Sequence, residues 1–105
     1  MTSEATVQVP NRLGLHARPA AQVVKTAARF ASEIFISRED MEVNGKSILG
    51  VMMLVAEQGA MLRVRATGAD AEAAVAALAA LIGRGFDEDD EGRPVPVGAR
   101  GSAHA

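Results

Sequence analysis

The strongest constraint on this chain is the order in which its hydrophobic period changes. Ala5, Val7 and Val9 alternate with Thr6 and Gln8, the two-residue period of a half-buried strand, and Pro10-Asn11 stops it. The period then lengthens. Ala20, Val23, Val24, Ala27 and Ala31 recur at helical spacing, and Pro19 sits early, where a missing N–H does no harm. This predicts a helix from about Ala17 to Phe30. Ile34 and Ile36 mark a second strand, Arg38-Glu39-Asp40 a polar turn, and Met41 to Val43 a third strand closed by Asn44-Gly45. Ser47 suits the cap of a short helix carrying Ile48, Val51, Met52 and Val55, with Gln58-Gly59 as its stop.

From Met61 to Ala66 the alternation returns, with Leu62, Val64 and Ala66 inward and Met61, Arg63 and Arg65 outward. A last helix follows, with the apolar stripe Ala71, Ala74, Val75, Leu78, Leu81 and Ile82. Asp70 and Glu72 complement the dipole at its start, and Gly83 is expected just past its end. The order β-α-β-β-α-β-α predicts an α+β fold: a four-stranded antiparallel or mixed sheet with the helices on one face. There is no internal repeat.

The chain of 105 residues makes one domain. Its net charge of −2 is uneven. Residues 1–86 hold nine Lys/Arg against eight Asp/Glu, whereas residues 87–105 hold two against five. The run Asp87-Glu88-Asp89-Asp90-Glu91, then Pro94, Pro96 and small residues, reads as an acidic, disordered tail on a domain spanning 1–86.

Several functional classes are excluded. Without cysteine there are no disulfides, thiolate-ligated metals or thiol nucleophiles. With three phenylalanines as the only aromatics and a near-neutral body, a nucleic-acid platform is not expected. The N-terminus lacks a signal-peptide pattern, and the apolar stretch from Val51 to Ala56 is far short of the ~20 residues that span a bilayer. A cytoplasmic location is expected. No carboxylate pair lies on a cleft-lining segment, so acid/base hydrolysis has no support.

His16 stands in a loop directly before the first helix, followed by Ala17-Arg18-Pro19. The first N–H groups of a helix have no intrahelical partner and, with the dipole, attract anions. A neutral imidazole there is a nucleophile, and Arg18 can hold a negative group beside it, which suits phosphoryl acceptance. A histidine at that place also serves as a plain exposed cap. His104 lies in the tail as a surface residue, so the two histidines form no metal site. Ser47 is an N-cap in any case. A phosphate there would also sit at a helix start. Ile48, Leu49 and Met52 share one short helix, and those left uncovered form a patch suited to docking. Arg63 and Arg65 read as a solvated sheet face.

The run Asn11-Arg12-Leu13-Gly14-Leu15-His16-Ala17-Arg18-Pro19-Ala20 resembles the active-site signature of the HPr family. These are the histidine-containing phosphocarriers of the bacterial phosphoenolpyruvate-dependent phosphotransferase system. Val43-Asn44-Gly45-Lys46-Ser47-Ile48-Leu49-Gly50-Val51-Met52 resembles the family's regulatory-serine signature. Two signatures at a fitting separation make the likeness specific, and it covers about residues 4–90. It implies an open-faced β-sandwich of four antiparallel strands covered by three helices. It implies that enzyme I phosphorylates His16 on Nδ1, that Arg18 stabilises the phosphohistidine, and that an enzyme IIA domain receives the phosphoryl group. Ser47 matches a serine modified by HPr kinase/phosphorylase, and Ile48, Leu49 and Met52 match the docking patch. No cofactor or metal is implied, and a monomer is expected. Gly85-Phe86-Asp87-Glu88-Asp89 resembles the end of the nitrogen-related branch, NPr, which regulates and does not drive sugar uptake. A non-phosphorylated ligand-binding module on a related sheet is the alternative outside the family.

Overall fold

Alternation in sequence becomes alternation in burial along every long strand. The computed structural model describes residues 1–96. The strands are β1 (Thr2–Gln8), β2 (Glu33–Arg38), β3 (Met41–Asn44) and β4 (Met61–Thr67). The helices are α1 (Ala17–Ala27), α2 (Ile48–Met53) and α3 (Ala71–Gly83), followed by a 3-10 turn at Gly85–Asp87. The sheet runs β1-β4-β2-β3 with every pair antiparallel. It is therefore the antiparallel member of the two expected sheets.

Ile34, Ile36, Leu62, Val64 and Ala66 are buried on one face. They meet Val23 and Ala27 of α1, Val51 of α2, and Ala74, Leu78 and Ile82 of α3 in one core. The other face carries Arg65, which stacks 4.9 Å over Phe35 and pairs with Glu42 at 3.1 Å. Arg63 donates to the Ser37 hydroxyl at 3.3 Å. Both arginines thus belong to the exposed sheet face, as expected.

Several boundaries differ from those read in the sequence. β1 begins at Thr2 rather than Ala5, because β4 pairs with it from Thr2↔Thr67 to Gln8↔Met61. α1 stops at Ala27, short of Phe30. The Ala28, Arg29 and Phe30 N–H groups close the end of the helix on the Val24, Thr26 and Ala27 carbonyls, and the Ala31 and Ser32 N–H groups then donate to the Asp70 carboxylate, each at 2.9 Å. Asp70 makes no side-chain cap bond to α3, so its carboxylate ties the β2 entry to the α3 start. α2 ends at Met53, well before Gln58-Gly59. α3 runs through Gly83, and the left-handed residue after its C-cap Arg84 is Gly85, with φ +71°.

The Asp70 carboxyl is held below the ordinary value of 3.8, first by the Ser32 hydroxyl and then by the Ala31 N–H. A depressed folded-state pKa contributes stability that is present above the unfolded value and lost as pH falls through the folded value. Asp70→Asn is therefore expected to be less stable than the parent at neutral pH, with the gap closing as pH falls below about 4. Melting temperatures of both proteins against pH check this, and a gap independent of pH would contradict it.

The chain after α3 does not leave the body. Phe86 is fully buried, and Glu88 is 5% exposed. Asp89 and Arg93 pair at 2.9 Å across a turn that brings Pro94 back against Glu88. The expected boundary at residue 86, with a disordered tail beyond, is corrected for residues 87–96: Phe86 anchors this segment in the core. The rest of the expected tail, including Arg100 and His104, lies outside the described residues. Among the described residues no helix is long and apolar enough to cross a membrane.

Candidate functional site

The loop between β1 and α1 is pinned before it reaches His16. Leu15 is buried, and its N–H donates to the Ala56 carbonyl at 2.8 Å. Gly14 has φ +68°, and a side chain there would collide with the same carbonyl. The loop is thereby clamped to the segment after α2. His16 follows as the N-cap of α1, in extended conformation, and its carbonyl accepts from the Ala20 N–H at 3.0 Å. Its imidazole makes no cap bond and is free to face outward. The N–H groups of Ala17 and Arg18 open the helix, and Pro19 has none to offer.

The imidazole is 33% exposed, and its Nε2 lies 2.9 Å from Oε2 and 3.1 Å from Oε1 of Glu88. Arg18 reaches the same carboxylate at 3.0 Å and the Phe86 carbonyl at 3.4 Å. Asn11 completes the cluster. Its Nδ2 donates to Glu88 Oε1 at 2.5 Å and to the Gly14 carbonyl at 2.8 Å. Its Oδ1 is buried without a partner, yet the opposite amide orientation would press an oxygen against the carboxylate. The Glu88 side chain is fully buried, so its charge is compensated by Arg18, Asn11 and the imidazole rather than by water.

This arrangement sets the chemistry of the ring. A carboxylate only accepts hydrogen bonds, so Nε2 carries the proton facing Glu88. In the neutral ring the lone pair is then on Nδ1. A hollow of about 190 Å³, lined by Leu13, Leu15, His16, Val55, Ala56 and Glu57, lies beside the imidazole.

Ser47 is the N-cap of α2, and its Oγ accepts from the Gly50 N–H at 3.1 Å. Of α2 only Val51 is buried. Ile48, Leu49 and Met52 stay uncovered, Leu49 to 70%. Met53, Val55 and Leu13 are also exposed, which extends the apolar surface to the rim of the hollow at His16.

A family described as PTS HPr component phosphorylation site matches residues 3–84, nearly the whole described body. The chain belongs to the HPr family. Among its relatives, phosphocarrier protein HPr of Xylella fastidiosa is 46% identical, over 82% of this chain and 97% of that one. Phosphocarrier protein NPr of Escherichia coli is 38% identical over 85% of this chain and all of its own length. The crystal structure of HPr-C-His from Thermoanaerobacter tengcongensis matches with a TM-score of 0.79 at 44% identity, covering 83% of this chain and 98% of that one. An HPr-type fold and a phosphocarrier role in the phosphotransferase system follow. A ligand-binding module outside the family loses its support.

The structure brings His16 and Arg18 together on the Glu88 carboxylate, and Ser47 caps its helix. Glu88 and Asn11 were not singled out by sequence reasoning. Glu88 stands in an acidic run that also resembles the end of the NPr branch, and Asn11 stops β1 and opens the first signature run, with no role at the site assigned to either. The available signal was Phe86, a rare aromatic placed just past the α3 stripe.

Proposed function

We propose that His16 is the phosphoryl acceptor, that Nδ1 makes the bond, and that Glu88 positions the ring. The observation that carries this reading is the engagement of Nε2, rather than Nδ1, by a buried carboxylate. The Nδ1 lone pair attacks phosphorus, and the bond from phosphorus to the donor's leaving atom breaks as the new P–N bond forms. The donor's leaving atom keeps that electron pair. The Nε2 proton stays on the ring, held by Glu88. The phosphorylated ring then departs as a neutral imidazole when the next acceptor attacks, which keeps the link transferable. Arg18 and the amides opening α1 balance the phosphate charge. A helix N-terminus contributes roughly 0.3–2 kcal/mol, enough to favour the group without trapping it.

Enzyme I is the donor in this reading, phosphoenolpyruvate the ultimate source, and an enzyme IIA histidine the recipient. Ile48, Leu49 and Met52 form the docking patch, and the carrier acts as a cytoplasmic monomer without a cofactor. Ser47 is the regulatory site for an HPr kinase/phosphorylase. A phosphate on its Oγ would displace the bond from the Gly50 N–H and sit at the α2 start. The chain incubated with phosphoenolpyruvate and enzyme I is expected to gain one acid-labile phosphoryl group. No gain would overturn the reading.

A second reading, a nitrogen-type carrier not coupled to sugar uptake, is favoured by the full-length match to the E. coli NPr. Faster phosphorylation by a nitrogen-type enzyme I than by the sugar-type enzyme separates the two.

A further inference from the structure

The Ala56 carbonyl that receives the Leu15 N–H sits in a turn that is itself strained. α2 ends at Met53, and Val55 then takes φ +46°. That is the left-handed region, where a β-branched side chain is unfavourable. Val55 is 72% exposed, so burial of its side chain does not hold it there.

Arg38, the last residue of β2, supplies the hold. Its side chain is 25% exposed. Nη1 donates to the Leu54 carbonyl at 3.3 Å and to the Val55 carbonyl at 3.0 Å. Nη2 donates to Glu57 Oε1 at 3.1 Å. One planar guanidinium therefore grips the chain on both sides of Ala56. A cation on the carbonyls just past a helix also suits the negative end of its dipole. The Glu57 side chain is 77% exposed, so that ion pair contributes little. The bonds from a charged donor to the two carbonyls carry the hold.

The path from Arg38 to the reacting residue is short. Arg38 fixes the carbonyls of Leu54 and Val55. The next carbonyl, that of Ala56, accepts from the Leu15 N–H at 2.8 Å, and His16 follows Leu15. Gly14 has no space for a Cβ beside that carbonyl, so the two segments are in direct contact. Val55, Ala56 and Glu57 of the same turn also line the hollow beside the imidazole.

We propose that Arg38 is a positioning residue for phosphoryl acceptance. It holds the turn after α2 in its left-handed conformation and, through the Ala56 carbonyl, sets where the His16 ring stands. Arg38 does not line the hollow and acts only through the turn. The proposal rests on His16 as the acceptor.

The test uses Arg38→Met in the full chain, which keeps an apolar stem and removes the donors. Amide hydrogen exchange is read first, with no phosphoryl donor present. The Leu15 amide is expected to exchange about tenfold faster, with a smaller change at Val64 in the middle of the sheet. Transfer from phosphorylated enzyme I is read second. Its kcat should fall about tenfold and its KM stay within about twofold, because the exposed face of α2 is unchanged. Arg65→Met, which removes an arginine from the outer sheet face, should change neither readout. Val55→Gly added to Arg38→Met relieves the backbone, since glycine adopts positive φ freely, and should recover about threefold or more of both losses. Unchanged Leu15 exchange, an equal change at Val64, an unchanged kcat, or no recovery in the double variant would overturn the proposal. A parent chain that is not labelled at His16 would instead remove the reading beneath it, and Leu15 exchange would still decide whether Arg38 holds the turn.

Discussion

An alanine at position 16 is expected to abolish phosphoryl acceptance while leaving the fold intact. The ring contributes no cap bond, and the backbone bond from the Ala20 N–H to the residue 16 carbonyl survives the change. Glu88 keeps Arg18 and Asn11 as partners. The stability change should stay within about 1 kcal/mol, as for partly exposed positions whose neighbours remain satisfied. The chemical effect has no such buffer, because no other described side chain offers an imidazole nitrogen. Intact-mass analysis after incubation with phosphoenolpyruvate and enzyme I, alongside a thermal melt, checks both halves. A His16→Ala chain that still gains the phosphoryl group would remove the central residue from the account.

The largest loss of stability is expected from Phe86→Ala, about 3–5 kcal/mol. Phe86 is fully buried, and its backbone is left-handed, φ +59°, a conformation as unfavourable for alanine as for phenylalanine. Removing the ring leaves a cavity and retains the strain. The consequence reaches the site, because Glu88 lies two residues on and is presented to His16 by this anchor. Phosphorylation should slow in the same variant, under conditions where it remains folded. Denaturant midpoints measure the first effect and stopped-time labelling the second. A loss below about 1 kcal/mol would mean that the segment is not held by Phe86.

The strands and helices were legible because burial here follows local period. Leu62, Val64 and Ala66 are inward and Arg63 and Arg65 outward, and α3 buries the stripe read from its sequence. The placement of His16, Arg18 and Ser47 at the starts of α1 and α2 was legible because caps and first turns follow from local sequence. The features not legible depend on chain segments far apart. Asp70 read as a dipole partner of α3, but the amides it takes are those of Ala31 and Ser32. Glu88 read as one of five acids in a solvated run, and composition alone favours that. What separates it from its neighbours is the left-handed turn at Gly85, Phe86 and Asp87, which returns the chain to His16. Asn11 carries no signal until Glu88 is in place to receive its amide.

Phosphoryl acceptance at His16 turns on which ring nitrogen is held and which is left to react. Glu88 holds Nε2 at 2.9 Å, so the phosphoryl group should be found on Nδ1. Phosphorus NMR of the phosphorylated chain, correlated with the His16 ring protons, distinguishes the two isomers. A single Nδ1-phosphohistidine in the parent, with a mixture appearing in Glu88→Ala, is the predicted result. An Nε2-phosphohistidine in the parent would contradict the account directly.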